Sequence, residues 1–249
     1  MDILKNTAGN ILSYNGTPLG TTWSAVAPPA SYPTDGLIAR YDFNDNLDDS
    51  YLGLHSSAWT TNSGSPLWTY DANAVEGKAF KTNFTWSVGQ GTSEMLDCLT
   101  DASITTLMDG TNAFSISYWS LDSNPEIQGN QTPFWSTGGN IWSLKLNAGI
   151  LHTVGVANGV TSTIRIDTGT WNHIVYSYNG GNAESIYINN VLDATSTTRG
   201  SKGGTGAFYL CGQVNHQALK EGSMDLLYFY NRALDSADVA LLYNGGAGV

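Results

Sequence analysis

The chain has 249 residues, a formal net charge of −11 and a pI near 4.5, so phosphate backbones and anionic bilayers would be repelled: no nucleic-acid partner and no membrane insertion are expected. No run of 18 apolar residues occurs, which excludes a membrane-spanning helix. Only 12% of residues are charged and 28 are glycine, a balance that favours a turn-rich all-β domain over a helical one, and an acidic surface can gather divalent cations such as calcium.

Residues 1–34 read as an arm. Asn15-Gly16 and Pro18 mark turns, and Pro28, Pro29 and Pro33 stiffen an extended linker. Ile3, Leu4, Ile11, Leu12 and Trp23 are too few for an independent core, so the arm either packs on the domain that follows, docks on a partner or stays unstructured. Met1 is not followed by a basic start and an apolar core, so no secretory signal is read, although the body of the chain has an extracellular composition. Either the chain is mature and trimmed, or the protein leaves the cell built into a virus particle.

The domain proper, residues 35–249, opens on strand-like alternation at 37–43 and an acidic turn at 44–50. Residues 51–73 lack clean periodicity and hold Trp59, Trp68 and Tyr70, which predicts a long loop with a function. Strands are predicted at 114–119, 141–146, 171–178, 185–189 and 205–210, with a Gly180-Gly181 turn and a tight hairpin at Asn189-Asn190. The stretch 225–230 is apolar on both faces and should be a central strand. After it, Asp235 can cap a short helix, with Asp238 three residues on as a capping box. Leu234 can staple to Val239, and Gly245 supplies a left-handed stop. Cys98 and Cys211 permit one disulfide without requiring it; buried free thiols suit a domain with this much core.

In this order the chain resembles the laminin-G-like, concanavalin-A-like jelly rolls, in the laminin-G-like 3 or pentraxin-like branch. The matching stretches are 36–50, 75–80, 114–119, 171–180, 186–190 and 225–243, the last with Tyr230-Asn231-Arg232-Ala233-Leu234 being the most specific. The resemblance implies a two-sheet antiparallel jelly-roll sandwich with a short C-terminal helix. Such domains mostly bind carbohydrates or proteins, and some relatives on the architecture hydrolyse polysaccharides.

Hydrolysis needs paired carboxylates, which those relatives present as Glu-x-Asp-x-x-Glu on one strand. That motif is absent, and Glu76, Glu94, Glu126, Glu184 and Glu221 are scattered; Gly222 and Ser223 predict a turn between Glu221 and Asp225. No catalytic residues are therefore assigned. His55, His152, His173 and His216 lack zinc spacing, and His173 reads as a packed structural histidine. Asp45, Asp48 and Asp49 offer hard oxygen ligands in a flexible turn, and the resemblance adds Asp225 as a distant fourth ligand to a structural calcium ion. The bland alternative has Asp45 and Asp48 in Asx turns and Asp49 solvated. Trp119 and Trp171 match core positions of the family. Trp59, Trp68, Tyr70, Trp86 and Trp135 lie in loop-like stretches, where each either plugs an end of the sandwich or gives a sugar ring a stacking face. Arg232 is expected to pin the turn before the helix through backbone carbonyls.

The sequence thus predicts a non-catalytic binding module, on a virion surface (a bacteriophage decoration or tail-associated protein) or extracellular, with cell-surface glycan as ligand and the arm attaching it to other virion proteins. The alternatives are a purely structural decoration protein and, less favoured, a polysaccharide hydrolase. A homo-oligomer is compatible with either.

Overall fold

The computed structural model describes residues 32–51, 53, 68–82, 104, 106–107, 111–123, 131–136, 142–200, 208–210 and 222–249, together with the backbone of strands within 3–18 and 96–99. The chain divides into two compact units, Met1–Ser31 and Tyr32–Val249. The first holds a small antiparallel sheet ordered β1-β2-β3, from β1 (Ile3–Lys5), β2 (Ile11–Tyr14) and β3 (Thr17–Pro18). Pro18 thus ends an edge strand, where a missing N–H is tolerated. Tyr32 and Pro33, read from sequence as linker, belong to the second unit. The Tyr32 ring packs 5.5 Å from Tyr228 with the Arg40 guanidinium 4.6 Å above it, and the Tyr230 hydroxyl donates to the Pro33 carbonyl at 3.0 Å.

The second unit is a two-sheet sandwich. Its strands are β4 (Leu37–Tyr41), β5 (Trp68–Asp71), β6 (Ala79–Thr82), β7 (Leu96–Leu99), β8 (Ala113–Asp122), β9 (Gln131–Ser136), β10 (Trp142–Asn147) and β11 (Ile150–Val154). They continue as β12 (Trp171–Asn179), β13 (Glu184–Ile188), β14 (Val191–Ser196), β15 (Phe208–Leu210) and β16 (Gly222–Tyr230), and a helix, α1 (Ser236–Tyr243), follows. An eight-stranded sheet runs β14-β13-β12-β8-β16-β6-β5, with β4 also on β16, and a five-stranded sheet runs β11-β10-β9-β15-β7. Alternation along the strands sends Phe114, Ile116, Tyr118, Ile174, Tyr176 and Ile186 between the sheets, where they meet Phe134, Leu144, Leu146, Leu151 and Leu210 of the smaller one.

The outer face of the large sheet is apolar too, because α1 lies on it: Trp119, Val175, Leu226, Tyr228 and Tyr230 pack with Leu234, Val239 and Leu242. This is why every residue of β16 is buried and its sequence shows no alternation. The predicted central strand is confirmed, but it starts at Gly222, so residues 222 and 223 pair with Asp122 and Leu121 rather than forming a turn. The helix start is as read: Asp235 accepts from the Ala237 and Asp238 amides, and the Asp238 carboxylate accepts from Asp235 N–H. The left-handed stop begins one residue early, at Asn244 (φ 47°). Asn189 and Asn190 (φ 50° and 66°) make the predicted tight hairpin between β13 and β14. Arg232 donates to the Asp35 and Ala233 carbonyls and also grips Asp238 through both terminal nitrogens (2.6 and 2.9 Å), so Asp238 joins cap and turn.

His173 is a core residue, 1% exposed, with Nε2 2.9 Å from the Ser117 hydroxyl and its ring clustered with those of Trp119 and Tyr243, which stack on each other. Burial pushes its pKa down to about 3. A lowered folded-state value means that the stability tied to neutral His173 is complete above the unfolded pKa of 6.5 and is lost as pH falls toward 3. His173→Gln should therefore gain in melting temperature relative to the wild type as pH drops from about 6.5 to 4. A difference between the two proteins that does not change over that range would refute the assignment.

Candidate functional site

At one edge of the large sheet, β5 pairs with β6 so that Trp68 faces Thr82 and Tyr70 faces Phe80. Trp68, Tyr70 and Phe80 share the inner face. Phe80 is fully buried and anchors the group: Trp68 lies 5.7 Å from it and 5.4 Å from Tyr70, the latter edge to face. Both outer aromatics are only partly buried, while the indole N–H of Trp68 is itself buried and among the described residues has no hydrogen-bond partner. Burial, then the charges of Asp45 and Asp48, pushes the Tyr70 hydroxyl up to about 12. The edge thus presents aromatic surface. Residues 68–71, read from sequence as loop, form a strand because they complete this sheet edge.

The acidic turn is held by its neighbours. The Asn44 side chain accepts from Lys78 N–H at 2.7 Å, and a Cβ on Gly77 (φ +61°) would meet it at 2.1 Å, so only glycine fits there. Both Asp45 oxygens accept from the Lys78 ammonium at 2.7 Å. The Asx turns are made by Asn46, which accepts from Asp48 N–H, and by Asp49, which accepts from Tyr51 N–H, not by Asp45 and Asp48. Asp49 is 3% exposed rather than solvated, and its Oδ1 also accepts from Arg40 N–H at 3.0 Å.

Asp225 sits at a bulge in β16. It faces Trp119, Tyr228 faces Ser117, and the extra residue Leu226 takes φ 47°. The bulge directs the carboxylate at the 75–76 backbone: Oδ2 accepts from Val75 N–H (2.8 Å) and Glu76 N–H (2.9 Å), and Oδ1 from Leu226 N–H (2.8 Å). Burial pushes its pKa up to about 7, against the pull of those three bonds. Among the described residues no three His, Cys, Asp or Glu side chains are grouped to hold a metal ion. Asp225 and Asp49 accept from main-chain amides and Asp45 pairs with Lys78.

Of the five predicted aromatic residues, the structure brings Trp68 and Tyr70 together. Trp59 and Trp86 lie outside the described residues, as does Cys211. Trp135 is on β9, where its backbone faces Ser143 and Tyr209; its side chain and that of Cys98, on β7, are likewise outside the description. Trp119 and Trp171 are packed against the outer cluster, as expected.

A charged cluster in the interior was not foreseen. Glu184 and Arg199 are both fully buried at the side chain, 3.2 Å apart, with the guanidinium 3.7 Å over the Tyr178 ring. Glu184 also accepts from the Thr153 hydroxyl (3.1 Å), the Val160 amide and the Tyr176 hydroxyl (2.7 Å). Nothing in the spacing of 184 and 199 announces the pair; the sequence signal is only a glutamate at the start of an apolar strand.

Residues 98–240 match the Laminin_G_3 family, described as the concanavalin A-like lectin/glucanases superfamily. No curated protein matches the chain. Among solved structures, domain 4 of AbnA, a GH43 extracellular arabinanase from Geobacillus stearothermophilus in complex with arabinotriose, is similar at TM-score 0.59 and 21% identity. That match covers 86% of this chain and 98% of that one. The binding domain of botulinum neurotoxin DC in complex with SialylT is similar at TM-score 0.58 and 16% identity, over 84% of this chain and 51% of that one. The binding domain of Paraclostridial Mosquitocidal Protein 1 is similar at TM-score 0.58 and 16% identity, over 85% and 52%. The chain spans about half the length of these two binding domains. At these identities the likeness is one of fold.

Proposed function

Because the chain belongs to the laminin G 3 family of the concanavalin A-like lectin/glucanases superfamily, we propose that it is a non-catalytic carbohydrate-binding module that stacks a sugar on the Trp68–Tyr70 edge. The observation that carries this reading is the pair of half-buried aromatic rings 5.4 Å apart at the sheet edge, which offers an apolar face to sugar C–H groups. The likeness along nearly the whole length of an arabinanase domain solved with arabinotriose supports it. A binding role also agrees with the buried carboxylates: Asp49, Asp225 and Glu184 accept main-chain amides, a structural use rather than that of a general acid. In this reading residues 1–31 attach the module to a particle or cell surface, so their removal should leave glycan binding intact while abolishing co-sedimentation with the particle.

The test is a glycan array followed by calorimetry with the best ligand and with arabinan oligosaccharides. Trp68→Ala should weaken binding about tenfold or more, and Tyr70→Phe, which keeps the ring, should weaken it less. Wild-type protein that binds no glycan, or a folded Trp68→Ala protein that binds undiminished, would overturn the proposal.

A further inference from the structure

Where β16 runs out, β4 carries a bulge: Phe229 faces Ala39, Tyr230 faces Leu37, and Ile38 is passed over. Leu37 packs in the outer cluster while Ile38 packs against the core between the sheets. Beside Ile38 opens a cavity of about 340 Å³, lined among the described residues by Ile38, Thr106, Leu107, Asn112 and Asn231. None of these described residues is ionisable. Ile38 and the buried Leu107 make an apolar floor, while Thr106, Asn112 and Asn231 are exposed and make a rim of hydroxyl and amide groups.

Asn231 is fixed by its backbone, whose N–H donates to the Gly36 carbonyl at 2.8 Å, and among the described residues its side-chain amide makes no hydrogen bond. That amide lies over Gly36, at φ +70°, where a Cβ would come within 2.8 Å of its Oδ1. The backbone is therefore shaped to leave room for the amide at the mouth of the cavity, where among the described residues neither its donor nor its acceptor is engaged.

We propose that this cavity is a second ligand site, for one neutral sugar residue, separate from the Trp68–Tyr70 edge and sharing no residue with it. The volume is that of a small-ligand site, and the described lining, which carries hydroxyl, amide and apolar groups, suits a neutral polar ligand. A sugar ring has an apolar C–H face for Ile38 and Leu107 and hydroxyls on its rim for the amides. A purely apolar ligand would leave the Asn231 amide without a partner.

The experiment is a nuclear magnetic resonance titration of the full chain with methyl glycosides of neutral pentoses and hexoses at millimolar concentration, following side-chain amide signals. At least one glycoside should shift Asn231 saturably, and Asn231→Ala should weaken its binding on the order of tenfold. Leu107→Trp, which fills the cavity, should abolish binding, and Trp68→Ala should leave it unchanged. Failure of every glycoside to shift Asn231, or binding that survives Asn231→Ala undiminished, would overturn the proposal. If Leu107→Trp does not fold, Asn231→Ala still decides, because its side chain is exposed. Array ligands lost with Trp68→Ala but without any Asn231 response would sink the cavity site alone.

Discussion

Asp225→Ala is expected to lower stability by about 4 kcal/mol, which for a chain of this length moves the melting temperature down by roughly 10 °C. The substitution removes a carboxylate that is 0% exposed and strips three main-chain donors, at Val75, Glu76 and Leu226, of their acceptor. Each donor left dry costs about 1–3 kcal/mol. The left-handed Leu226 adds to the cost, because its strained backbone is held by the bond from its own N–H to Asp225. Asp225→Asn should lose less, since an amide oxygen can still accept from residues 75 and 76 while its NH₂ opposes the Leu226 donor. The same melts with EDTA added should move neither wild type nor variant, because the carboxylate clasps the 75–76 loop directly. A melting temperature that falls in EDTA and recovers with calcium would show instead that a cation shares this site.

How much of this was legible in the sequence follows from how local each signal is. The helix cap, the Asn189-Asn190 hairpin and the doubly buried closing strand each depend on residues within a few positions of one another, and all three are as read. Strand β5 was missed because its partner β6 lies across a tight loop, and a four-residue edge strand with Thr69 exposed has too few positions to show a period. The acidic turn was visible as composition, but its partner Lys78 lies some 30 residues away, and Asp225 finds its own partner Val75 150 positions off. Of the candidate site, Trp68 and Tyr70 were legible as two of five loop aromatics, but not as neighbours on one face of a strand. The cavity beside Ile38 was not, because a bulge that skips one residue leaves no trace in an apolar pattern.

Glu184→Gln should destabilise the protein more than Arg199→Met, although the two side chains form one buried pair. Glu184 has its partners in place: Thr153, the Val160 amide and Tyr176 besides the Arg199 guanidinium. Arg199 does not, since none of its three guanidinium nitrogens makes a hydrogen bond of good geometry and its main support is charge from Glu184 and the face of Tyr178. Neutralising Glu184 therefore strands a cation that is 3% exposed, a loss of about 3–5 kcal/mol. Removing Arg199 instead leaves a carboxylate with three donors, and the methionine can keep its contact with Tyr178, so the loss should be about 1–2 kcal/mol. In the double variant the stranded cation is gone, and its loss should fall well short of the sum of the singles. Guanidinium unfolding of the four proteins measures this. Equal single effects that simply add would mean that the 3.2 Å approach of the two groups carries no coupling, and that Arg199 is held by packing alone.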